Sequence, residues 1–228
     1  MIKSILVRKS QGSQYIPDLR AASPVGFRGK PVISEAACAN GCNACLAACP
    51  SRAITLDPVR IDMGRCVLCG DCEPVCPSEK LSFNNDFKLA STDRDALTIS
   101  TAHPDIDPIK ASEALHKRFG RSLKLRSVSA GGCNGCEMEI NALSNVNFDL
   151  GRYGIDMVAS PRHADGLVLS GPISRNMADA LQIAWDAIPE PKLVIAVGAC
   201  AISGGIFAEC NEVDRAFLDK FKPALYIP

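Results

Sequence analysis

Residues 38–50 read CANGCNACLAACP and residues 66–77 read CVLCGDCEPVCP. The second stretch is CxxCxxCxxxCP: three thiolates close together, then a fourth turned away by the proline behind it. Three closely spaced thiolates take three irons of a 4Fe–4S cube, and the remote fourth reaches the neighbouring cube. On that logic Cys66, Cys69, Cys72 and Cys49 hold one cluster, while Cys38, Cys42, Cys45 and Cys76 hold the other. Each half of the near-repeat completes its neighbour. A zinc site would instead show separated CxxC pairs, not two overlapping four-cysteine runs each closed by proline. The first run has three residues between Cys38 and Cys42 where two are usual. One residue must therefore be looped out, helped by the permissive backbone of Gly41.

Over about residues 34–84 these runs resemble the two-cluster ferredoxins, which implies an α+β ferredoxin-like two-cluster module. The chain has 228 residues, 47% of them hydrophobic, enough for two modest domains or one large one with a buried core. Its opening, MIKSILVRKSQG, has an apolar stretch broken by Arg8 and Lys9 and no small-residue cleavage site, so no signal peptide is expected. Twelve cysteines without a signal peptide point to a reducing cytoplasm, where clustered thiols bind metal rather than pair as disulfides. The longest apolar run, LVIAVGACAISGGIFA from Leu193, is interrupted by glycines and shorter than the ~20 residues of a membrane span. No spanning segment is expected.

A net charge of zero hides an alternation. Residues 1–30 carry six Lys/Arg against one Asp, and 110–130 carry six against one Glu, whereas the segments between and after are acidic. Two basic connectors thus separate two acidic modules, each connector lying on an acidic neighbour or solvated; docking on a partner or on anionic lipid headgroups is the sharper alternative. Nucleic acid is not expected as a partner, because only 5% of residues are aromatic and none is interleaved with those charges for base stacking.

After Phe83, STDRDALTISTAHPDIDP is polar and proline-bearing and reads as a linker, followed by a short basic helix in ASEALHKRFGRSL with Leu115 and Phe119 four apart. Beyond it, candidate strands LKLRSV, IDMVAS, GLVLSG, LVIAV and ALYI alternate with the helical patterns ISRNMADALQIAWDAI and NEVDRAFLDKF. That alternation implies a parallel sheet with crossover helices, whose sites form at the carboxyl ends of strands. Cys133 and Cys136 follow the first of these strands through Gly131 and Gly132, and Cys200 follows LVIAV. Three thiolates are therefore expected at one sheet edge, with EMEINAL starting a helix whose N-terminal amides favour an electron-rich group.

GGCNGCEMEI, RYGIDMVASPRHADGLVLSGP and PEPKLVIAVGACAISGGIF resemble the small subunit of energy-converting NiFe hydrogenases of the formate hydrogenlyase type. More distantly they are similar to the cluster-bearing subunit of respiratory complex I. Complex I subunits have adjacent cysteines at the first position, whereas here Asn-Gly separates Cys133 from Cys136, as in hydrogenases. FRGKP, residues 27–31, is also similar to the arm preceding the ferredoxin-like subunit of such complexes. The resemblance implies two electron-transfer subunits fused head to tail: an extended basic arm over 1–33, a two-cluster ferredoxin domain over 34–90, a linker with a basic helix over 91–121, and an α/β flavodoxin-like parallel-sheet domain over 122–228. It further implies three 4Fe–4S clusters, the third held by Cys133, Cys136, Cys200 and a fourth cysteine expected in a GCPP turn after Pro228.

The function implied is an iron–sulfur relay between a redox partner and the nickel–iron site of a separate hydrogenase large subunit, with further electron-transfer or membrane subunits holding it at the inner face of the membrane. The alternatives are a complex I-like quinone oxidoreductase cluster subunit and a non-catalytic redox scaffold. Cys210 reads as a small buried hydrophobe rather than a ligand. Glu137 and Glu139 read as helix-start acids serving the dipole rather than a proton path. His163 reads as loop packing, and Trp185 with Leu181 as core. His103 and His116 have no acid or nucleophile pattern beside them, and no catalytic residue is expected on this chain.

Overall fold

Short strands separated by long cysteine-bearing turns make up the first half of the chain, and longer, regularly alternating elements make up the second. The computed structural model describes residues 2–10, 25–107, 117, 119, 120 and 122–228. Residues 2–10 form a helix, α1 (Ile2–Ser10), rather than the extended arm expected there. Ile2, Ile5 and Leu6 recur at helical spacing, and all three are exposed. Most of the expected basic helix, His116 included, lies outside the described residues.

The cysteine-rich half comprises β1 (Pro31–Ile33), α2 (Ala44–Ala48), β2 (Ile54–Thr55), β3 (Arg60–Asp62), β4 (Leu81–Phe83) and β5 (Thr98–Ser100). Its first and fourth strands pair antiparallel, closing the two ends of the module on each other, and β3 pairs antiparallel with both β2 and β5. Ile33, Ile54, Ile61, Met63 and Leu81 fill the space between these two small sheets. Strands of two or three residues cannot stand alone in water, so this core and whatever the turns enclose must hold them.

The segment expected as a linker belongs partly to the first module. Leu97 and Ile99 are buried to 0% and 1% exposure, which is the inward half of a two-residue alternation that the surrounding polar residues disguise in the sequence. Ahead of them, Ser91 exchanges two backbone hydrogen bonds with Tyr226 (3.0 and 2.8 Å), so the connector caps the edge of the second module's sheet.

That sheet contains β6 (Leu123–Ser129), β7 (Ile155–Met157), β8 (Gly166–Ser170), β9 (Leu193–Val197) and β10 (Leu225–Ile227). All pairings are parallel, in the spatial order β10-β9-β8-β6-β7. Numbered within the module this is 5-4-3-1-2, so the winding direction reverses between β6 and β8. The helices are α3 (Gly135–Ala142), α4 (Arg175–Asp186), α5 (Ala199–Ser203) and α6 (Ala216–Lys220).

Side chains alternate between the faces as the pleat requires. Leu167, Leu169, Val194 and Ala196 meet Leu181 and Trp185 of α4 and Phe217 and Leu218 of α6. On the other face Leu125, Val168 and Ile195 meet Ile140 of α3. Trp185, buried as expected, packs edge-on to Phe217 with ring centroids 5.9 Å apart and tilted to Phe221 at 5.0 Å. Lys192 lies over the Trp185 ring at 4.5 Å while donating to the Trp185 and Ile188 carbonyls, which caps α4 with a cation where the dipole favours one. One buried cluster runs through both modules, from Ile33 and Ile61 to Ile202 and Tyr226. Among the described residues no helix is long and apolar enough to cross a membrane.

Candidate iron–sulfur sites

Eleven of the twelve cysteines gather in three groups, and each group is assembled by turns and the first turns of short helices rather than by strands. In the first, Cys49, Cys66, Cys69 and Cys72 all line one cavity whose remaining wall includes Pro31, Ala53, Ile54, Ile61 and Phe83. Burial pushes the Cys66 thiol up to about 11, with Cys49, Cys69 and Asp62 adding and the Leu68 amide opposing. Burial likewise pushes Cys72 up to about 12, with Cys66, Cys49 and Cys69 adding. The influence of Cys49 on both thiols exists only because this remote residue has been folded onto the Cys66–Cys72 turn. An apolar pocket with four convergent thiols suits a cube that carries its own irons and sulfides, and binding would have to release the thiol protons.

The second group is more open. Cys45 is raised by burial first, then by Cys76 and Cys38, while Cys38 and Cys42 line a solvent-facing recess with Leu56, Val59 and Lys80. Gly41 has φ +70°, the left-handed conformation that lets the extra residue of this run turn out, and the Cys42 amide closes that turn on the Ala39 carbonyl at 3.0 Å. The shorter run places Leu68 at φ +54° before Cys69, so an ordinary side chain there accepts strain that Gly41 avoids.

The two runs share a local pseudo-symmetry. Cys49 and Cys76 each accept a hydrogen bond on sulfur from the amide four residues on, Ala53 at 3.2 Å and Lys80 at 3.3 Å. Each also accepts one on its carbonyl from the residue three on, Arg52 at 3.2 Å and Glu79 at 3.1 Å. Arg52 and Glu79 both sit at positive φ, 51° and 49°. The turn after each Cys-Pro is therefore wound the same way, aiming two amides back at the cysteine. Amides directed at a thiolate stabilise its charge.

The third group lies at the carboxyl ends of β6 and β9, flanking the point where the sheet reverses direction. Burial raises the Cys136 thiol, with Cys200, Glu137 and Cys133 adding; burial also raises Cys200, with Cys133 adding and Arg215 opposing. Cys133 is exposed, so this group opens to the surface. Gly198 shows how tightly it is built: φ is +85°, and a β-carbon there would stand 2.4 Å from the Cys136 sulfur. The Gly198 amide donates to the Ile227 carbonyl at 2.7 Å, so β10 delivers the chain to this same edge.

Glu137 is held by Ser170 Oγ at 2.7 Å. Burial raises its pKa, but hydrogen bonds from Ser129, Ser170 and its own amide outweigh that and lower it overall. The carboxylate is thereby tied to the ends of β6 and β8. Cys210 is exposed, not the small buried hydrophobe expected, because it falls in the polar turn after Phe207 instead of on an element. His163 is exposed in the short turn Pro161–His163. Among the described residues no three His, Cys, Asp or Glu lie close enough to hold a single ion.

Several contributors were not singled out from the sequence as site residues, although Arg28 lies within the FRGKP stretch. Arg28 donates to the Leu68 and Cys69 carbonyls at 3.0 and 2.5 Å, bracing the first group's turn from the surface. Arg215 donates to the Cys200, Ala201 and Ile202 carbonyls at 3.1, 2.7 and 2.9 Å. Between the modules, Arg52 pairs with Glu209, and a shared recess is lined by Pro50, Ser51, Arg52 and Arg65 on one side and Gly205, Ile206, Ala208 and Glu209 on the other. The turn after Cys49 thus faces the turn after Cys200.

Comparison with known proteins falls along the same division. Residues 133–228 match the family described as NADH ubiquinone oxidoreductase, 20 kDa subunit, and residues 37–80 match the 4Fe-4S dicluster domain. Formate hydrogenlyase subunit 7 of Escherichia coli is 44% identical over 129 residues, 56% of this chain and 49% of that protein. A "Probable membrane-bound hydrogenase subunit" of Pyrococcus furiosus is 38% identical over 50% of this chain and 68% of its own length. An F(420)H(2) dehydrogenase subunit of Methanosarcina mazei is 36% identical over 58% of this chain and 70% of its own length. The chain spans about half the length of the first of these relatives and somewhat over two thirds of the other two.

Proposed function

Because this chain belongs to the family of the 20 kDa subunit of NADH ubiquinone oxidoreductase, carried behind a 4Fe–4S dicluster domain, we propose that it is the iron–sulfur electron relay of a multisubunit NiFe hydrogenase. Residues 34–90 act as the ferredoxin module and residues 122–228 as the hydrogenase-type module, whose 5-4-3-1-2 parallel sheet is flavodoxin-like. Residues 1–33 are the basic arm, with α1 in it, and residues 91–121 the connector, whose strand Thr98–Ser100 pairs into the ferredoxin module. Three 4Fe–4S cubes supply one-electron storage when bound. Cys38, Cys42, Cys45 and Cys76 hold one, Cys49, Cys66, Cys69 and Cys72 the next, and Cys133, Cys136 and Cys200 the third.

The observation that carries this reading is the facing of the Cys49 and Cys200 turns across the recess they share. Tunnelling falls steeply with distance, so the order Cys38 group, Cys49 group, Cys200 group makes a wire with its last centre at the open Cys133 edge. Beside that edge the Met138 side chain, in the first turn of α3 two residues after Cys136, is exposed and suited to contact with a nickel-bearing large subunit. Proton reduction or dihydrogen oxidation belongs to the partner, and the membrane-bound relatives favour a peripheral location at the inner face of the membrane through further subunits.

The native complex is expected to contain nickel and to exchange electrons with dihydrogen, whereas this chain alone is expected to do neither. The second reading, a quinone-reducing complex I-like module, is favoured by the likeness to the F(420)H(2) dehydrogenase subunit. A nickel-free native complex that reduces quinone would establish it in place of the first.

A further inference from the structure

The Arg215 side chain makes an unusual set of contacts for a cation. Its Nη1 donates to the Pro172 carbonyl at 3.3 Å and to the Cys200 carbonyl at 3.1 Å, and its Nη2 to the Ala201 and Ile202 carbonyls at 2.7 and 2.9 Å. Three of these carbonyls belong to α5, a helix of only five residues whose carbonyls have little helix beyond them to bond. The fourth lies in the turn after β8. That turn is itself tied to the Cys133 loop, since the Ile173 and Ser174 amides both donate to the Ala130 carbonyl at 3.0 Å. One planar fork thus joins the Cys200 turn to the turn that backs Cys133 and Cys136.

All four acceptors are neutral carbonyls, so the charge is not cancelled by a carboxylate in the fork. Burial lowers the pKa of Arg215, with exposed Asp219 and the Cys200 sulfur working the other way. A guanidinium stays protonated regardless. Arg28, which grips the first group's turn, is exposed, and solvent screens its charge. The part-buried Arg215 is screened far less.

We propose that Arg215 is a positioning and potential-setting residue of the third iron–sulfur site, holding the Cys200 turn and placing beside it a fixed positive charge that favours the reduced cube over the oxidised one. The proposal rests on the relay reading and adds a direction to it. A thiolate-bound cube gains one negative charge when it accepts one electron, and a nearby cation in a low-dielectric setting stabilises that added charge. The electron comes from the Cys49-group cube, which is oxidised by one as the third is reduced by one, with no bond or proton changed on this chain. Arg215 therefore makes the last transfer towards the open edge the more downhill one.

The test is a mediated redox titration of the intact native complex, each cube followed by electron paramagnetic resonance and iron counted per complex. In Arg215→Gln the reduced-to-oxidised ratio of the third cube at fixed potential should fall about tenfold, ~59 mV for one electron. In Arg215→Lys it should stay close to the unsubstituted value, and the ferredoxin-module cubes should not move in either variant. An Arg215→Gln complex with full iron and an unmoved third cube overturns the proposal. If Gln loses the cube, Lys decides: retention at the unsubstituted potential supports a charge at this position, while loss or an equal shift overturns it. An unsubstituted complex with only two cubes overturns the relay reading and this proposal together, a result distinct from an unmoved potential.

Discussion

Cys49 and Cys210 are both free thiols in turns, yet their surroundings assign them opposite roles. Cys49 lines the apolar cavity with Cys66, Cys69 and Cys72 and accepts the Ala53 amide on its sulfur, whereas Cys210 is exposed among polar residues. Cys49→Ser should cost about 4 irons per chain from the Cys66–Cys72 site, and Cys210→Ser none, as counted by iron and sulfide analysis. Loss of iron from Cys210→Ser would make that exposed thiol a ligand. Titration gives a second expectation at this scale. The Cys66 and Cys72 thiols are raised by burial to about 11 and about 12 from an ordinary 9.0. The folded iron-free protein therefore holds these protons more tightly than the unfolded chain does. That contribution is fully present below pH ~9 and is lost as pH rises from ~9 through ~12. Denaturation of iron-free protein should show a falling midpoint across that window, while iron uptake, which expels the same protons, should become more favourable as pH rises.

The elements of the two modules depend on different forces. Strands β1 to β5 span two or three residues each, so their order relies on the turns around the cysteines. The five parallel strands of the second module are held by side-chain packing, with Trp185 of α4 set among Phe217 and Phe221 over a face of Leu167, Leu169 and Val194. Trp185→Ala should cost about 3–5 kcal/mol in denaturant unfolding. Iron bound by the first eight cysteines should be unchanged, because the residue touches neither of their turns. A matching loss of iron from the ferredoxin module would show that a cavity at Trp185 is felt through the shared buried cluster as far as the cysteine turns.

At the scale of the whole molecule, the junction is more than a tether. Arg94 grips Asp62 through two hydrogen bonds of 2.8 and 2.7 Å, both side chains being under a third exposed, and Ser91 binds the edge of the second sheet three residues earlier. The connector is therefore pinned to β3 of one module and β10 of the other within four residues. Asp62→Asn should lower stability by about 1–3 kcal/mol, the scale of a charged hydrogen-bonded pair, and loosen the connector to proteolysis near residues 90–95. The exposed Arg52–Glu209 pair is worth less, about 0–1 kcal/mol. Protection of residues 90–95 unchanged by Asp62→Asn would mean that packing, not this pair, fixes the connector.

The cysteine spacing and the alternation of strand and helix were legible from the sequence because both are short-range. A CxxCxxCxxxCP run constrains its own turn within a dozen residues, and the five strand patterns in 122–228 carry their period locally. The gathering of Cys133, Cys136 and Cys200 followed from placing them after strands of one parallel sheet. Tertiary structure alone decided what depends on pairing across distance. Buried Ile99 sits in a strand only because β3 offers an edge to it, with Leu97 buried in the turn just before, so a polar stretch turned out to be part of the first module. Cys210 lost the burial its chemistry suggested because it fell in a turn outside the core. Arg215 stands fifteen residues beyond Cys200 with no motif around it. Its fork reaches the Cys200 turn only when the chain after β9 folds back, since a guanidinium finds its carbonyls by where they end up in space and not by how far along the chain they lie.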